Sequence, residues 1–93
     1  MKTSVLLAFF FLVLVLSACG GLSEADEHYN AGVELQEQER LEEAIGEYGE
    51  AIRLNPQLTE AYNNRGNAYA DLGQFERAIQ DYGEAIRLNP QLI

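Results

Sequence analysis

The sequence has little positive charge and few residues that carry chemistry. Its 93 residues contain 6 Lys plus Arg against 15 Asp plus Glu, which gives a formal net charge of -9. A nucleic-acid-binding protein needs a basic surface to neutralise phosphates, so this charge balance argues against that class. The chain also has 1 Cys and 1 His. These are too few for a disulfide framework or a structural zinc site.

The same scarcity argues against an enzyme. His28 and Lys2 are the sole histidine and lysine, and no nucleophile is accompanied by a general base in a pattern that would activate it. Acidic pairs such as Glu42 with Glu43 lack the alternating spacing and the turn glycine of a calcium loop, so we interpret them as solvated surface. We therefore predict no catalytic, cofactor-binding or metal-binding residues and no enzyme activity.

One long apolar run lies near the amino terminus. Residues 5–16 carry no charge, follow Lys2, and precede the small residues Ser17 and Ala18. This order is typical of a secretory signal peptide. The run is shorter than the roughly 20 residues that span a bilayer comfortably. Ordinary secretory cleavage near Cys19 and an uncleaved anchor remain as alternatives.

The segment Leu16-Ser17-Ala18-Cys19 resembles the lipobox of bacterial lipoproteins. The resemblance implies a signal peptide over residues 1–18, a lipid on Cys19, and a lipidated tether over residues 19–24. Several acyl chains hold a protein to a membrane more stably than one chain does. The implied location is the bacterial cell envelope. Because Gly20 rather than Asp follows the cysteine, the outer membrane is favoured if the source has two membranes, and otherwise the outer face of the plasma membrane.

The rest of the sequence is one 34-residue unit written twice. Residues 25–58 and 59–92 share 16 identities, of which eleven are consecutive. In each unit apolar residues recur at i, i+1, i+4, i+7 and i+8, which is one face of a helix. Pro56 and Pro90 end the second helix of each unit, because the residue before a proline is pushed out of the α region. We predict an all-α fold with helices near residues 24–38, 42–54, 59–72 and 75–88.

Glycines mark the close approaches and the turns of this pattern. Gly32 and Gly66 are expected to let a tyrosine of the following helix approach closely. Gly73 suits the left-handed position that ends a helix. Glu39 stands at the equivalent position of the first unit, so we expect the first turn to be looser than the second.

The period and the residues together resemble the tetratricopeptide repeat. The second unit carries the pattern on its first helix (Tyr62-x-x-Arg65-Gly66-x-x-Tyr69) and, on its second, Ala78, Tyr82, Ala85 and Pro90. His28 replaces the usual large aromatic residue, and we expect it to pack in the core. The resemblance implies two helix-turn-helix repeats, 25–58 and 59–92, forming a short α-solenoid whose first helices line a concave groove.

The groove implied by the resemblance would bind a peptide or a helix of another protein. Its positions in this chain are Tyr29, Asn30, Val33, Gln36, Asn63, Asn64, Asn67 and Ala70. Asparagine both donates and accepts hydrogen bonds, so it can hold an extended peptide backbone. The alternative is that these asparagines are simply exposed polar residues. Because no Lys or Arg stands at these positions, we expect a neutral or basic segment rather than an acidic tail.

The leading hypothesis is a membrane-anchored adaptor or assembly factor that acts by protein–protein interaction on the exported side. The alternatives are a self-associating structural anchor and a fragment of a longer repeat protein without independent activity. The fourth helix is expected to leave part of Ile79, Tyr82 and Ile86 uncovered, a feature that favours self-association through the C-terminal repeat.

Overall fold

The computed structural model describes residues 22–92 as a stack of helices. The four α-helices are α1 (Glu24–Glu37), α2 (Leu41–Leu54), α3 (Thr59–Asp71) and α4 (Phe75–Leu88), followed by a 3-10 turn at Pro90–Leu92. The predicted all-α class is confirmed, and each predicted helix boundary agrees with the observed one to within a residue. Residues 1–21, which include the predicted signal peptide and Cys19, lie outside the described range.

The helices pack in chain order, α1 on α2, α2 on α3 and α3 on α4, with α1 also reaching α3. The core between the two repeats is made of Ala44, Tyr48, Ala51 and Ala61, all fully buried. Alanine takes little space, so it lets helix backbones approach closely while one tyrosine fills the remaining volume. This arrangement fixes the first helices of the two repeats, α1 and α3, relative to each other.

Gly32 and Gly66 make room for the tyrosines of the following helices, as predicted. A Cβ placed on Gly32 would lie 2.6 Å from Cε1 of Tyr48, and one on Gly66 would lie 2.8 Å from Cε1 of Tyr82. Both distances are shorter than real carbon contacts allow, so any side chain here would force the two helices apart. The repeated Gly–Tyr pair therefore sets the spacing within each hairpin.

The first helix begins with a side-chain cap. Ser23 is extended, and its Oγ accepts a hydrogen bond from the backbone N–H of Asp26 at 3.1 Å. Serine is among the residues preferred at this position, because it satisfies one of the unpaired N–H groups of the first turn. Ser23 and Glu24 thus belong to the helix start. Both residues fall within the tether predicted over residues 19–24, so the last two positions of that range are part of the helix start.

The turns within the two repeats have the same geometry, so the prediction of a looser first turn is wrong. Glu39 has φ 61° and Gly73 has φ 79°. The backbone N–H of Arg40 donates to the Leu35 carbonyl at 2.9 Å, and Gln74 donates in the same way at 2.8 Å. Packing of α1 on α2 holds the glutamate in a conformation that it disfavours on its own.

The second helix of each repeat ends at the asparagine before proline. Asn55 and Asn89 both leave the helical region, and each side-chain Oδ1 accepts a hydrogen bond from the backbone N–H two residues later. The predicted role of Pro56 and Pro90 as helix stops is confirmed. Among the helices of residues 22–92, none combines the length and the apolar character needed to cross a bilayer.

Candidate functional site

The first helices of the two repeats are joined by a hydrogen bond between predicted groove residues. Nδ2 of Asn64 on α3 donates to Oη of Tyr29 on α1 at 3.0 Å. The Tyr29 ring in turn packs on Tyr48, with ring centroids 5.9 Å apart and a tilt of 46°. Because Tyr29 is fixed from both sides, α1 and α3 present one continuous, preorganised surface.

Two other predicted groove residues have a structural task. Oε1 of Gln36 accepts a hydrogen bond from the hydroxyl of Tyr48 at 2.6 Å, and Oδ1 of Asn67 accepts one from the hydroxyl of Tyr82. Burial, together with nearby Tyr29, raises the pKa of Tyr48 to about 12, so its hydroxyl stays protonated and donates. The first helix of each repeat thus supplies a hydrogen-bond partner for the tyrosine hydroxyl of the second helix.

The remaining predicted groove residues differ in exposure and in what they contact. Asn30 is exposed, Asn63 and Ala70 are half-buried, and Val33 is half-buried against the core. Within residues 22–92 the side-chain amides of Asn30 and Asn63 form no hydrogen bond, unlike those of Gln36, Asn64 and Asn67. Of the predicted polar set, Asn30 and Asn63 are thus the two amides left to a ligand.

Arg65 and Asp81 form a buried ion pair that joins α3 to α4. Nε and Nη2 of Arg65 donate to the two carboxylate oxygens of Asp81 at 2.7 and 2.8 Å, and Asp81 is 5% exposed. The Arg65 guanidinium also lies 5.9 Å from the ring centroids of both Tyr62 and Tyr69. Its hydrogen bond to Asp81 raises the pKa of Arg65, so the group remains charged and cannot serve a groove ligand.

The sequence contained a signal for this pair that sequence reasoning missed. Asp81 and Glu47 stand at the same position of the two repeats, and each is paired with a base of its own repeat's first helix. The two basic residues occupy different positions of the repeat. Arg65 is equivalent to Ala31 of the first repeat, whereas His28 lies three residues before Ala31. Both repeats carry an acidic residue at the same position of the second helix. This shared position could have predicted an ion pair with a basic residue of the first helix.

His28 lies at the surface between α1 and α2 rather than in the core, so the expectation of core packing is wrong. Its Nδ1 lies 2.6 Å from Oε2 of Glu47, and about a third of each side chain is exposed. The hydrogen bond to Glu47 raises the pKa of His28 above its usual value of 6.5. The smaller imidazole cannot fill the space of a large aromatic ring, and it turns to a carboxylate instead.

The candidate surface is acidic. Helix α1 carries five acidic residues and no Lys or Arg, and the sole cation of α3, Arg65, is neutralised by Asp81. Among residues 22–92 no group of three or more His, Cys, Asp or Glu side chains could hold a metal ion. The negative charge of this surface sets up a field that attracts cationic groups.

Helix α4 exposes an apolar face at the far end of the stack. Phe75 is 64% exposed, Ile79 68% and Ile86 37%. Part of the surface of Ile79, Tyr82 and Ile86 is uncovered, as predicted, with Tyr82 half-buried against Gly66. This α4 face, defined by Phe75, Ile79 and Ile86, is separate from the surface of α1 and α3.

Comparison with known proteins identifies the repeat. A family profile described as "Tetratricopeptide repeat" matches residues 59–92, and one described as "TPR repeat" matches residues 32–73. The chain is similar to the crystal structure of MamA with a TM-score of 0.73 and 28% identity, over 73% of this chain and 40% of that one.

Two plant proteins share sequence with half of the chain. They are the Hsp70-Hsp90 organizing protein of Triticum aestivum and Hsp70-Hsp90 organizing protein 1 of Glycine max, each 45% identical over 49 residues. These residues make up 53% of this chain but 8% and 9% of the two plant proteins. The chain thus spans less than a tenth of the length of the curated relatives it matches.

The family profiles, the helical hairpins and the structural likeness agree on one assignment. The two profile matches together cover residues 32–92, about two thirds of the chain. Proteins of this kind are typically non-enzymatic adaptors, and the repeats support a function in protein–protein interaction. The chain belongs to the tetratricopeptide repeat family.

Proposed function

We propose that the chain is a membrane-anchored lipoprotein that acts as an adaptor or assembly factor by binding a neutral or basic protein segment on the surface of α1 and α3. The observation that carries this proposal is the hydrogen bond from Asn64 to Tyr29. It ties the two first helices into one surface before any partner arrives, which lowers the entropy lost on binding.

The charges of this surface favour a basic or neutral occupant. The carboxylates of α1, including Glu34 and Glu37, have no Lys or Arg on their own helix. An acidic segment would be repelled and would find no cation to pair with, because Arg65 is held by Asp81. A basic segment would be attracted from a distance and would gain ion pairs at the rim.

Asn30 and Asn63 would hydrogen-bond to the backbone of the bound segment, so these contacts would not depend on the sequence of that segment. Each amide offers a donor and an acceptor, the pair that an extended peptide backbone requires. Val33 and Ala70 supply apolar contact beside them, and Tyr29 adds an aromatic face of the kind enriched at interfaces. Gln36, Asn64 and Asn67 support the surface through their bonds to tyrosine hydroxyls.

The plant relatives are consistent with a protein partner. Their names describe proteins that organise Hsp70 and Hsp90, which are themselves proteins. Because this chain matches so small a part of them, we transfer only the general class of partner, a protein segment. We do not propose Hsp70 or Hsp90 as partners of this chain.

Binding is tested with three extended peptides of equal length that carry positive, zero or negative net charge. The full chain should bind the basic peptide most tightly and the acidic one least, with the basic peptide losing most affinity as salt rises. Replacing both Asn30 and Asn63 by Ala should weaken binding by about 1–3 kcal/mol in total. The matched control is Gln80→Ala, an exposed amide on α4, which should leave affinity unchanged.

Two outcomes would contradict this proposal. If the acidic peptide bound as tightly as the basic one, the charge argument would be wrong. If the Asn30 and Asn63 variant bound like the wild type while retaining its helix content, these amides would be ordinary surface residues and the groove would lie elsewhere.

The membrane-anchored part of the proposal rests on the sequence around Cys19. Intact mass of protein purified from a bacterial host should show a mature chain that begins at Cys19 and carries acyl chains. Cys19→Ser should remain unprocessed by the lipoprotein route and lose that added mass. A mature terminus elsewhere, or a Cys19 terminus with polypeptide mass alone, would remove the lipid anchor and the proposed envelope location.

A further inference from the structure

We propose that two copies of the chain pair tail to tail through the α4 face, across a two-fold axis that passes near Gly83. The occupant of the exposed apolar face is thus a second α4, which runs antiparallel to the first. This contact leaves the surface of α1 and α3 free in both copies, so it is independent of peptide binding.

The junction between the two repeats shows that this kind of face is built to be covered. Ile45 and Ile52 of α2 are the repeat equivalents of Ile79 and Ile86, and they are half-buried because α3 lies against α2. Ile52 packs against the core together with Leu58. Helix α4 repeats these isoleucines, yet within residues 22–92 no helix lies over them.

A second copy cannot cover the face head to tail without burying charge. At the junction between repeats, α3 contributes Ala61, which is fully buried, and the preceding Leu58, which is half-buried. The equivalent residues of α1 are Glu27 and Glu24. Placing α1 of one copy on α4 of another would bury these carboxylates against isoleucine, at a large desolvation cost.

The charge distribution also favours joining the two C-terminal ends. Residues 22–58 contain ten Asp and Glu against two Arg, a net charge of -8, whereas residues 59–92 contain five against three, a net charge of -2. Tail-to-tail pairing brings the two nearly neutral repeats together and keeps the two strongly acidic repeats far apart. An arrangement through the first repeat would bring larger charges of the same sign together.

The shape and rim of α4 suit an antiparallel partner. Gly83 is exposed, and a Cβ placed on it would meet nothing within 4 Å, so a second helix can cross closely there. Helical spacing places Glu76 near the start of α4 and Arg87 near its end, on the same edge of the face. In an antiparallel pair the glutamate of each copy would lie near the arginine of the other, which is also paired with Glu84 of its own helix at 2.9 Å. Such a two-fold contact is self-complementary and closed, so it yields a dimer and no larger assembly.

Cysteine cross-linking tests the geometry. The full chain is used in the Cys19→Ser form, because Cys19 is its one cysteine, and in excess detergent so that chains do not share micelles by chance. Under mild oxidation Gly83→Cys should form a covalent dimer. Gly46→Cys, an exposed position of α2 where an added Cβ also meets nothing within 4 Å, should remain monomeric.

The same experiment distinguishes the competing arrangement. Glu27→Cys mixed with Gly83→Cys should give no mixed disulfide. A mixed disulfide in good yield would show head-to-tail stacking and overturn the proposal. Equal cross-linking of Gly46→Cys and Gly83→Cys would show random contact within micelles and would overturn it as well.

Sedimentation without cross-linking gives an independent readout. Ile79→Glu should weaken dimerisation by about tenfold or more while helix content stays unchanged, because Ile79 is mostly exposed in the single chain. Gln38→Glu adds the same charge at an exposed position of the first repeat, away from α4, and should dimerise like the wild type. A wild-type chain that is monomeric at about 100 μM, or an Ile79→Glu variant that still dimerises, would contradict the proposal.

Discussion

At the scale of single residues, the hairpins depend on a glycine that faces a tyrosine. Tyr48 is fully buried, and its ring occupies the space that a side chain on Gly32 would need. The ring cannot move aside, because its hydroxyl is held by Gln36 and its face packs on Tyr29. The glycine is thus required by close approach, although it lies in the middle of a helix where alanine would be intrinsically more stable.

Gly32→Ala should therefore destabilise the fold by about 1–3 kcal/mol, the usual result of overpacking a tight core. The matched change is Gly46→Ala on α2, where the added Cβ meets nothing within 4 Å. It should stabilise the fold by roughly 0.5–1 kcal/mol through helix propensity alone. Urea denaturation followed by circular dichroism measures both. Effects of the same sign in the two variants would show that Gly32 is not sterically constrained.

The His28–Glu47 pair gives a pH dependence whose sign follows from the structure. The hydrogen bond to Glu47 raises the pKa of His28 in the folded state above 6.5. The stabilisation is therefore fully present below about pH 6.5 and is lost as pH rises through the raised value. Because both side chains are partly exposed, the effect should be roughly 0.2–1 kcal/mol.

Comparison of the wild type with His28→Gln between pH 5.5 and 8.5 isolates this contribution, since other titrating groups are common to both proteins. The wild type should be the more stable protein at the acidic end, and the difference should shrink towards the alkaline end. A difference in unfolding free energy that stays constant with pH, or that grows with pH, would show that the pair does not contribute in this way.

At the scale of helices, α3 is fastened to α4 by the buried pair of Arg65 and Asp81. Removing the arginine alone, as in Arg65→Leu, leaves a carboxylate buried without a partner and should cost about 3–5 kcal/mol. Combining Arg65→Leu with Asp81→Leu should recover most of that loss, because no unpaired charge remains. Arg53→Ala, which breaks an exposed pair with Glu50, should change stability by less than about 1 kcal/mol.

Thermal and urea unfolding of the wild type, Arg65→Leu, Asp81→Leu, the double variant and Arg53→Ala decide this point. The double-mutant cycle should give a large interaction energy between Arg65 and Asp81. If the single Arg65→Leu variant were no less stable than Arg53→Ala, the buried pair would not be what holds α3 to α4.

The two turns offer a second prediction at this scale. Glu39 and Gly73 hold the same left-handed conformation, which costs a non-glycine residue about 1 kcal/mol. Glu39→Gly should therefore stabilise the fold by up to about 1 kcal/mol, and Gly73→Glu should destabilise it by a similar amount. The midpoints of urea unfolding report both changes. Destabilisation by Glu39→Gly would mean that a contact of the glutamate side chain stabilises the fold by more than the left-handed backbone conformation costs.

The helices could be predicted from the sequence because their signals are local. The repeated spacing of apolar residues predicts which face of each helix is buried, and Pro56 and Pro90 predict where α2 and α4 end. The partners of the tyrosine hydroxyls could not be predicted, because Gln36 lies 12 residues from Tyr48 and Asn64 lies 35 residues from Tyr29. Such contacts depend on how closely the helices approach, a quantity that residue spacing along one helix does not contain.

The same reason explains why the contacts of the asparagines and of His28 could not be predicted. The resemblance places Asn63, Asn64 and Asn67 together in the groove, but packing gives Asn64 and Asn67 internal partners and leaves Asn63 without one among residues 22–92. His28 was assigned to the core from its place in the repeat, yet its size and its basicity favour Glu47. The family pattern predicts where a side chain lies in the fold. The size and charge of that side chain then determine what it contacts.

At the scale of the whole molecule, three functions are assigned to three separate regions. The proposed lipid lies on Cys19 before the first helix, the proposed binding surface lies on α1 and α3, and the proposed dimer contact lies on α4. The strong negative charge of residues 22–58 belongs to the repeat nearest the tether, whereas residues 59–92 are nearly neutral. A dimer joined through α4 would therefore present two acidic binding surfaces, one at each end.

Backbone amide chemical-shift mapping shows whether the surface of α1 and α3 binds a basic or neutral segment. On titration with the basic peptide, the largest shifts should fall on Tyr29, Asn30, Val33, Asn63 and Ala70, while Ile79 and Gly83 on α4 should not respond. The acidic peptide should produce little change anywhere. Shifts concentrated on the α4 face, or the same response to both peptides, would contradict the account.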